Sequence, residues 1–198
     1  KHSLIKASSL LAHRGPDSKK YRDINSFQAV FYRLSIRDLT KNGNQPIFSH
    51  SKNLLMVFNG EIYNTEYLLN FLNSNELKGT SDSEILINLI EKKGANALKL
   101  IKGMFSFVIY DLKKNKIFAA RDRFGIKPIY YSINKDKIIF SSEIKPLLKI
   151  QNSVSFNENS FFDLFNKGYL DHDEKTFFKN INSLMPGQQL TINSSKTL

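Results

Sequence analysis

The sequence predicts an α+β fold in which antiparallel sheets are covered on the outside by helices. Predicted strands and helices occur in separate groups along the chain, and consecutive strands have connections of hairpin length. Such a pattern favours antiparallel sheets over a parallel βαβ arrangement. The chain has 198 residues, of which 41% are hydrophobic and 24% charged, and this is enough for one domain with its own core.

The first half of the chain predicts two strands flanked by helices. One strand is expected at 27–33, where apolar and polar residues alternate, and another at 54–58, a short apolar run. The second strand is expected to stop in a turn at Asn59-Gly60, because Asn-Gly pairs favour turns. Helical patterns cover residues 3–12 and 64–72.

The clearest helix is expected to begin at Ser81. Ser81 and Glu84 have the spacing of a capping box, and Gly94 suits the end of the helix. The second half then predicts mainly strands, with a tight polar turn at 113–115 between the first two. The expected strands are 104–110, 116–120, 128–133, 137–141 and 188–192, and the expected helices are 95–101, 143–149, interrupted by Pro146, and 161–165.

Composition excludes several kinds of site. The chain has no cysteine, so disulfides and thiolate metal sites are excluded within it. The net charge is +11, but the lysines are dispersed among Asn, Ser and Ile, which favours a solvated surface over a nucleic-acid interface. No apolar run approaches the roughly 20 residues of a membrane helix. A metal site is not expected, since the histidines lack ligand spacing: His2, His13, His50 and His172.

Four short stretches contain more polar and glycine residues than folding alone requires. They are HRGPD at 13–17, RLSI at 33–36, NGEIYN at 59–64 and SDSE at 81–84. Taken singly, each has a structural explanation. The first and third are typical of turns, and the second is a surface cation after a strand. The fourth is a helix start with acids at the positive end of the helix dipole.

Together, and in this order, the four stretches resemble the class II glutamine amidotransferases, which are N-terminal-nucleophile hydrolases. Within that class they are most similar to the glutaminase domain of asparagine synthetases. The resemblance continues in GMFSFVIYD at 103–111, ARDRFGIKPIYY at 120–131 and SSEIKPLL at 141–148. It implies a four-layer αββα sandwich of two antiparallel sheets. It also implies a glutaminase domain at 1–150 that lacks its first strand, and a closing segment at 151–198 that leads to an absent synthetase domain.

The resemblance implies a mechanism whose nucleophile is not in this chain. In the family, the thiolate of an N-terminal cysteine attacks the side-chain amide of glutamine, ammonia leaves, and water releases glutamate from the thioester. The chain starts at Lys1, so we expect a preceding stretch of roughly 15–20 residues that holds this cysteine, one strand and the first turns of a helix. The chain as given is therefore expected to be inactive, and the activity to belong to a longer parent.

The resemblance also assigns residues of a glutamine pocket. Asn59, through its side-chain amide, and Gly60, through its backbone N–H, match the oxyanion hole. Both would donate to the oxygen that becomes negative in the tetrahedral intermediate. Arg33 matches the residue that binds the α-carboxylate of glutamine, a role for which a guanidinium offers two parallel donors.

Four further positions complete the implied pocket. Ile36 and Arg37 match positions whose backbone lines it. Glu61 and Asp82 match the acids around the α-ammonium group, so that opposite charges at the two ends of the head group would select a free amino acid. The Arg-Asp-Arg cluster at 121–123 is assigned no catalytic role and is expected to brace a turn as a paired-charge network.

The expected partners follow from the same resemblance. This domain is expected to need L-glutamine and no cofactor, while ATP and Mg would be used by the absent synthetase domain to amidate aspartate. A cytoplasmic location without membrane or nucleic-acid partners is expected, and a homodimer is left open. One alternative is a cysteine-less glutamine-binding or regulatory module. Another is an amidotransferase that acts on a different carboxylate in cell-surface polysaccharide or peptide biosynthesis.

Overall fold

The computed structural model describes residues 2–73, 77–134, 137–151 and 154–193. The strands are β1 (Ser18–Ile24), β2 (Phe27–Arg33), β3 (Ile47–Phe48), β4 (Leu54–Ile62), β5 (Gly103–Asp111), β6 (Lys116–Arg121), β7 (Tyr130–Asn134), β8 (Lys137–Ser141), β9 (Asn182–Ser183) and β10 (Gln189–Asn193). The α-helices are α1 (His2–Ser8), α2 (Thr65–Leu69), α3 (Asp82–Lys93), α4 (Ile144–Gln151) and α5 (Glu158–Lys167), and 3-10 turns occupy Ser9–Arg14, Lys41–Gly43 and Gly94–Lys99. Within the described ranges, no helix has both the length and the apolar character needed to cross a bilayer.

The centre of the fold is a five-stranded antiparallel sheet in the order β10-β6-β5-β4-β3. Helices α2 and α3 cover one face of it. The hairpin β1–β2 and the sheet β8-β7-β9 form a second layer on the other face. Helices α1 and α4 contact each other and the strands of this second layer. The α+β fold with antiparallel sheets and helices outside them is thus confirmed.

The central sheet is buried on both faces, and this explains the apolar run that marks β4. Met56 and Phe58 pack in the core under α3, whereas Val57 between them packs against the second layer. A strand covered on both faces needs apolar side chains in both directions, so its sequence is continuously apolar. β5 follows the same rule, with Phe107 on the α3 side and Val108 on the other.

The predicted turn at Asn59-Gly60 is wrong, because β4 continues through both residues to Ile62. Gly60 lies opposite Phe105 in the ladder with β5. A Cβ atom at Gly60 would come within 2.2 Å of the Met104 carbonyl oxygen. Glycine therefore serves a close approach of two strands here, whereas the sequence pattern indicated a turn.

The helix expected at 143–149 is also different from its prediction. α4 runs without interruption from Ile144 to Gln151, and Pro146 lies in its first turn. A proline is tolerated there because its missing N–H would have no partner within the helix. The expected helix at 64–72 is regular only from Thr65 to Leu69. The strands β1, β3 and β9 were not predicted.

The second layer is divided by a groove of about 460 Å³ between β2 and β8. β2 pairs with β1 and β8 with β7, and among the described residues neither has a strand on its other edge. The floor of the groove is formed by the central sheet and its roof by α1 and α4. Lining residues include Val57, Val108 and Ile117 below and Leu4, Ala7 and Leu147 above. The second sheet is therefore present as two parts with one gap between their free edges.

Candidate functional site

A cleft of about 310 Å³ lies where β2, β4 and the start of α3 come together. All the residues to which the sequence assigned a role in the pocket line this one cleft: Arg33, Ile36, Arg37, Asn59, Gly60, Glu61 and Asp82. The structure thus brings together side chains from three separate motifs. Their individual roles remain predictions.

The side-chain amide of Asn59 is the most unusual group in the cleft. Its Nδ2 atom is buried and has no hydrogen-bond partner among the described residues. Buried donors are nearly always paired, so an unpaired one indicates a place for an acceptor from outside. The next residue is Gly60, where the neighbouring strand leaves no space for a Cβ atom. The backbone beside Asn59 therefore carries no side chain.

Asp82 fixes the end of β4 to the start of α3. Its Oδ2 accepts the Ile62 N–H at 3.0 Å and its Oδ1 accepts the Ser83 N–H at 2.9 Å. Only 7% of Asp82 is exposed. Burial raises the pKa of this carboxyl, against the effect of the two backbone hydrogen bonds and of nearby Arg37. The local sequence makes this possible because Ser81 caps α3, with its Oγ accepting the Glu84 N–H at 3.3 Å.

Glu61 and Arg37 form an ion pair at the rim of the cleft. Arg37 Nε lies 3.6 Å from Glu61 Oε1, and the two side chains are 41% and 35% exposed. A pair this exposed contributes about 0–1 kcal/mol, so solvent or a ligand can replace it at little cost. Arg37 also donates from Nη1 to the Ile62 carbonyl at 2.9 Å. The sequence assigned only the backbone of Arg37 to the pocket, whereas the structure places its side chain there too.

Arg33 is buried, and its guanidinium faces the loop at 37–44. Nη1 donates to the Thr40 carbonyl at 2.8 Å and to Asn44 Oδ1 at 3.2 Å. Nη2 donates to the carbonyls of Arg37 and Asp38. A carboxylate that bound both terminal nitrogens would have to replace these loop acceptors. The two-donor contact expected from the sequence therefore requires the loop to move.

The comparisons with known proteins agree with this arrangement. A family model described as a glutamine amidotransferase domain matches residues 1–198. The chain belongs to this family. The amidotransferase domain is 40% identical over 197 residues to asparagine synthetase [glutamine-hydrolyzing] 2 of Bacillus subtilis, covering 97% of this chain and 26% of that protein. It is 35% identical over 190 residues to the amidase chyE of Penicillium rubens, covering 96% of this chain and 27% of the relative.

The amidotransferase domain spans about a quarter of the length of these curated relatives. Among solved structures, it superimposes on one described as the allosteric regulatory enzyme of purine biosynthesis with a TM-score of 0.54 and 20% identity. That match covers 78% of this chain and 30% of the solved chain. It supports the α+β fold with antiparallel sheets.

Beside the cleft, the turn after β6 is braced by Asp122 in a way that the sequence did not reveal. Asp122 accepts backbone N–H groups and Arg121 donates to carbonyls of the turn and of Leu184, so the predicted charge-to-charge pairing is replaced by charge-to-backbone contacts.

Gln45, which also lines the cleft, was missed altogether. Its only sequence signal is an amide in the tripeptide Asn44-Gln45-Pro46, at the end of a loop.

Proposed function

We propose that this domain binds L-glutamine in the cleft and supports hydrolysis of its side-chain amide. The observation that carries the proposal is the buried Nδ2 of Asn59, a donor without a partner among the described residues, on a residue that lines the cleft. A donor of this kind is suited to the oxygen that gains negative charge in a tetrahedral intermediate. The backbone N–H of Gly60 would be the second donor.

The charges around the cleft suit the head group of a free amino acid. Glu61 and Asp82 would attract the α-ammonium group, and ligand binding at Glu61 would compete with its weak pair to Arg37. Arg33 would receive the α-carboxylate after the loop at 37–44 gives up its contacts with the guanidinium. Binding of glutamine is therefore coupled to rearrangement of this loop.

The groove between β2 and β8 suggests how a nucleophile reaches the cleft. Residues 27–30 of β2 line the groove and residues 30–33 of β2 line the cleft. β8 lies along the groove, and Ser142, which follows β8, lines the cleft. Both strands thus run towards the cleft. Every paired strand of the described domain is antiparallel to its neighbour. A segment that filled the groove in the same manner would have its amino end at the cleft.

We infer that a strand with a cysteine at its amino end, from chain upstream of residue 1, fills this groove. Its thiolate would attack the side-chain carbonyl carbon of glutamine, and the oxygen would become negative beside Asn59 and Gly60. The C–N bond then breaks, and ammonia leaves with the proton that the free α-amino group of the cysteine, acting as the base, has taken from the thiol. Water attacks the thioester, glutamate departs, and the thiol is restored.

The ammonia would pass to a synthetase domain of the same chain that amidates aspartate. The asparagine synthetase of Bacillus subtilis, of which the matched region covers 26%, supports this reading. A second candidate is amidation of another carboxylate, which the similarity to the amidase of Penicillium rubens favours. A third is a module that binds glutamine without cleaving it, since the 198 residues contain no cysteine.

Asn59→Ala in the full-length parent enzyme tests the proposal. Glutamine hydrolysis should fall on the order of 10²–10³-fold in kcat, and synthesis from added ammonia should remain. Asn64→Ala is the matched control. Asn64 follows the same strand and its amide is already paired, with Nδ2 donating to the Leu100 carbonyl at 2.9 Å. Equal losses in the two variants would contradict the assignment of Asn59.

A calorimetric titration separates the candidates. If the full-length parent protein binds glutamine and hydrolyses it, the result supports a glutamine-hydrolysing enzyme. Binding without hydrolysis supports a glutamine-binding module. Product analysis with ATP and either aspartate or other carboxylates then identifies the acceptor.

A further inference from the structure

The side chain of Gln45 forms a hydrogen-bonded rung with the backbone of Phe58. Its Nε2 donates to the Phe58 carbonyl at 3.1 Å and its Oε1 accepts the Phe58 N–H at 2.6 Å. Both residues are buried, with 7% and 4% of their surface exposed. A reversed amide would set two donors against each other and two acceptors against each other, so the backbone dictates its orientation.

These two hydrogen bonds continue the pairing along one edge of β4 beyond the point where β3 ends. β3 pairs with β4 only at Met56 and Leu55. The residue before β3 is Pro46, which has no N–H to contribute to a ladder. The amide of Gln45 supplies to Phe58 the donor and the acceptor that a strand backbone would have supplied. Since β5 pairs along the other edge, β4 is held on both sides at this position.

We propose that Gln45 is a positioning residue for the oxyanion donors of the cleft. The Phe58 carbonyl belongs to the same planar peptide group as the backbone nitrogen of Asn59. Gln45 therefore sets the orientation of the peptide that leads into Asn59. With it, Gln45 sets the direction of Nδ2, the atom for which the described residues offer no acceptor. Both polar atoms of the Gln45 amide are engaged by β4, so the side chain acts through Asn59. The inference rests on the proposed function and extends it to a residue outside the sequence motifs.

The expected effect is on the rate of the chemical step. A misplacement of about 1 Å at a catalytic group can cost on the order of 10² in rate. In the full-length parent enzyme, Gln45→Met should lower kcat for glutamine hydrolysis by about tenfold to a hundredfold, with KM for glutamine within about twofold and ammonia-dependent synthesis retained. Methionine keeps the length of the side chain but bonds neither group of Phe58.

A double-mutant cycle with Asn59→Ala makes the test specific. If Gln45 acts through Asn59, adding Gln45→Met to Asn59→Ala should lower kcat by less than about threefold further. Losses that multiply in full would overturn the proposal, because they would show that Gln45 works independently of Asn59. A rise in KM alone would also overturn it, since that result indicates direct contact with glutamine.

Asn88→Leu is the matched control for a merely structural role. Asn88 is 4% exposed, and its amide also bonds two backbone groups, the His50 N–H at 2.7 Å and the Glu84 carbonyl at 2.9 Å. It lies outside the cleft lining. This variant should lower the melting temperature while kcat of the folded enzyme stays within about twofold. An equal fall in kcat would refute positioning by Gln45. A wild-type parent that releases no glutamate would instead refute the proposed function itself.

Discussion

Replacement of Asp122 by alanine removes the carboxylate that holds the turn after β6. Asp122 is 1% exposed and accepts four backbone N–H groups. Oδ1 receives those of Phe124 and Ile126, at 3.0 and 3.1 Å, which belong to exposed residues and can be hydrated instead. Oδ2 receives those of Phe105 and Lys127, at 3.1 and 3.0 Å, which are less accessible.

The expected loss of stability follows from the second pair of donors. A buried donor left without an acceptor costs about 1–3 kcal/mol, so Asp122→Ala should lower the free energy of unfolding by about 2–6 kcal/mol. Asp122→Asn should give a smaller loss, because one amide oxygen can still serve the less accessible pair. Asp111→Ala is the matched control: Asp111 also accepts two backbone N–H groups, at 3.0 and 2.9 Å, but they lie in an exposed turn. Its loss should stay below about 1 kcal/mol.

The pH dependence gives an independent check. Burial of Asp122 opposes its ionisation, but the backbone N–H groups, that of Lys127 foremost, outweigh burial and lower its pKa. The stabilisation is therefore complete above the unfolded-state pKa of about 3.9 and is lost as pH falls through the folded-state pKa. Wild type should lose stability more steeply than Asp122→Ala below about pH 4.

Urea unfolding of the 198-residue chain, followed by circular dichroism, measures these differences. A loss in Asp122→Ala no larger than that in Asp111→Ala would refute the view that backbone donors depend on this carboxylate. So would a difference between wild type and Asp122→Ala that does not change with pH.

Two further predictions concern the cleft in the parent enzyme. Arg33→Ala should lower kcat/KM for glutamine by about tenfold or more, because a hydrogen bond to a charged group contributes about 1.5–3 kcal/mol. Ammonia-dependent synthesis should be unchanged. If both activities fall together, Arg33 has a structural role instead. Burial raises the pKa of Asp82, and an ammonium ligand needs the ionised form, so the Kd for glutamine should rise as pH falls towards that pKa. Calorimetric titrations at decreasing pH should show this rise in Kd for the wild-type protein but not for Asp82→Asn. A wild-type Kd that does not change with pH would contradict the role of Asp82 in binding the ammonium group.

The sequence identifies the strands and helices whose own residues specify them. The apolar run of β4 and the cap at Ser81 are local signals, and the structure has both elements. β1 could not be predicted in this way, because its sequence SKKYRDI is mostly polar and becomes a strand by pairing with β2. The close strand approach at Gly60 could not be predicted either, since the contact that requires glycine is with Met104 on another strand.

The sequence could predict which residues line the cleft, but it could not predict the contacts that these residues make. The motif resemblance selects Arg33 and Asn59, and both line the cleft. That Arg33 faces loop carbonyls depends on how the loop at 37–44 folds back over it. Asn59 Nδ2 is buried without a partner in the described part of the chain, and no local sequence pattern indicates this.

The buried Nδ2 of Asn59, which has no partner among the described residues, also has a consequence for how stable the domain can become. Natural domains are stable by only about 5–15 kcal/mol, and a buried donor without an acceptor removes about 1–3 kcal/mol of that. An apolar side chain of similar size, such as leucine, would not carry this penalty. Selection of variants of this domain for thermal stability alone would therefore be expected to replace asparagine at this position. The side chain that would suit folding best at residue 59 and the one that would suit an oxyanion are therefore different.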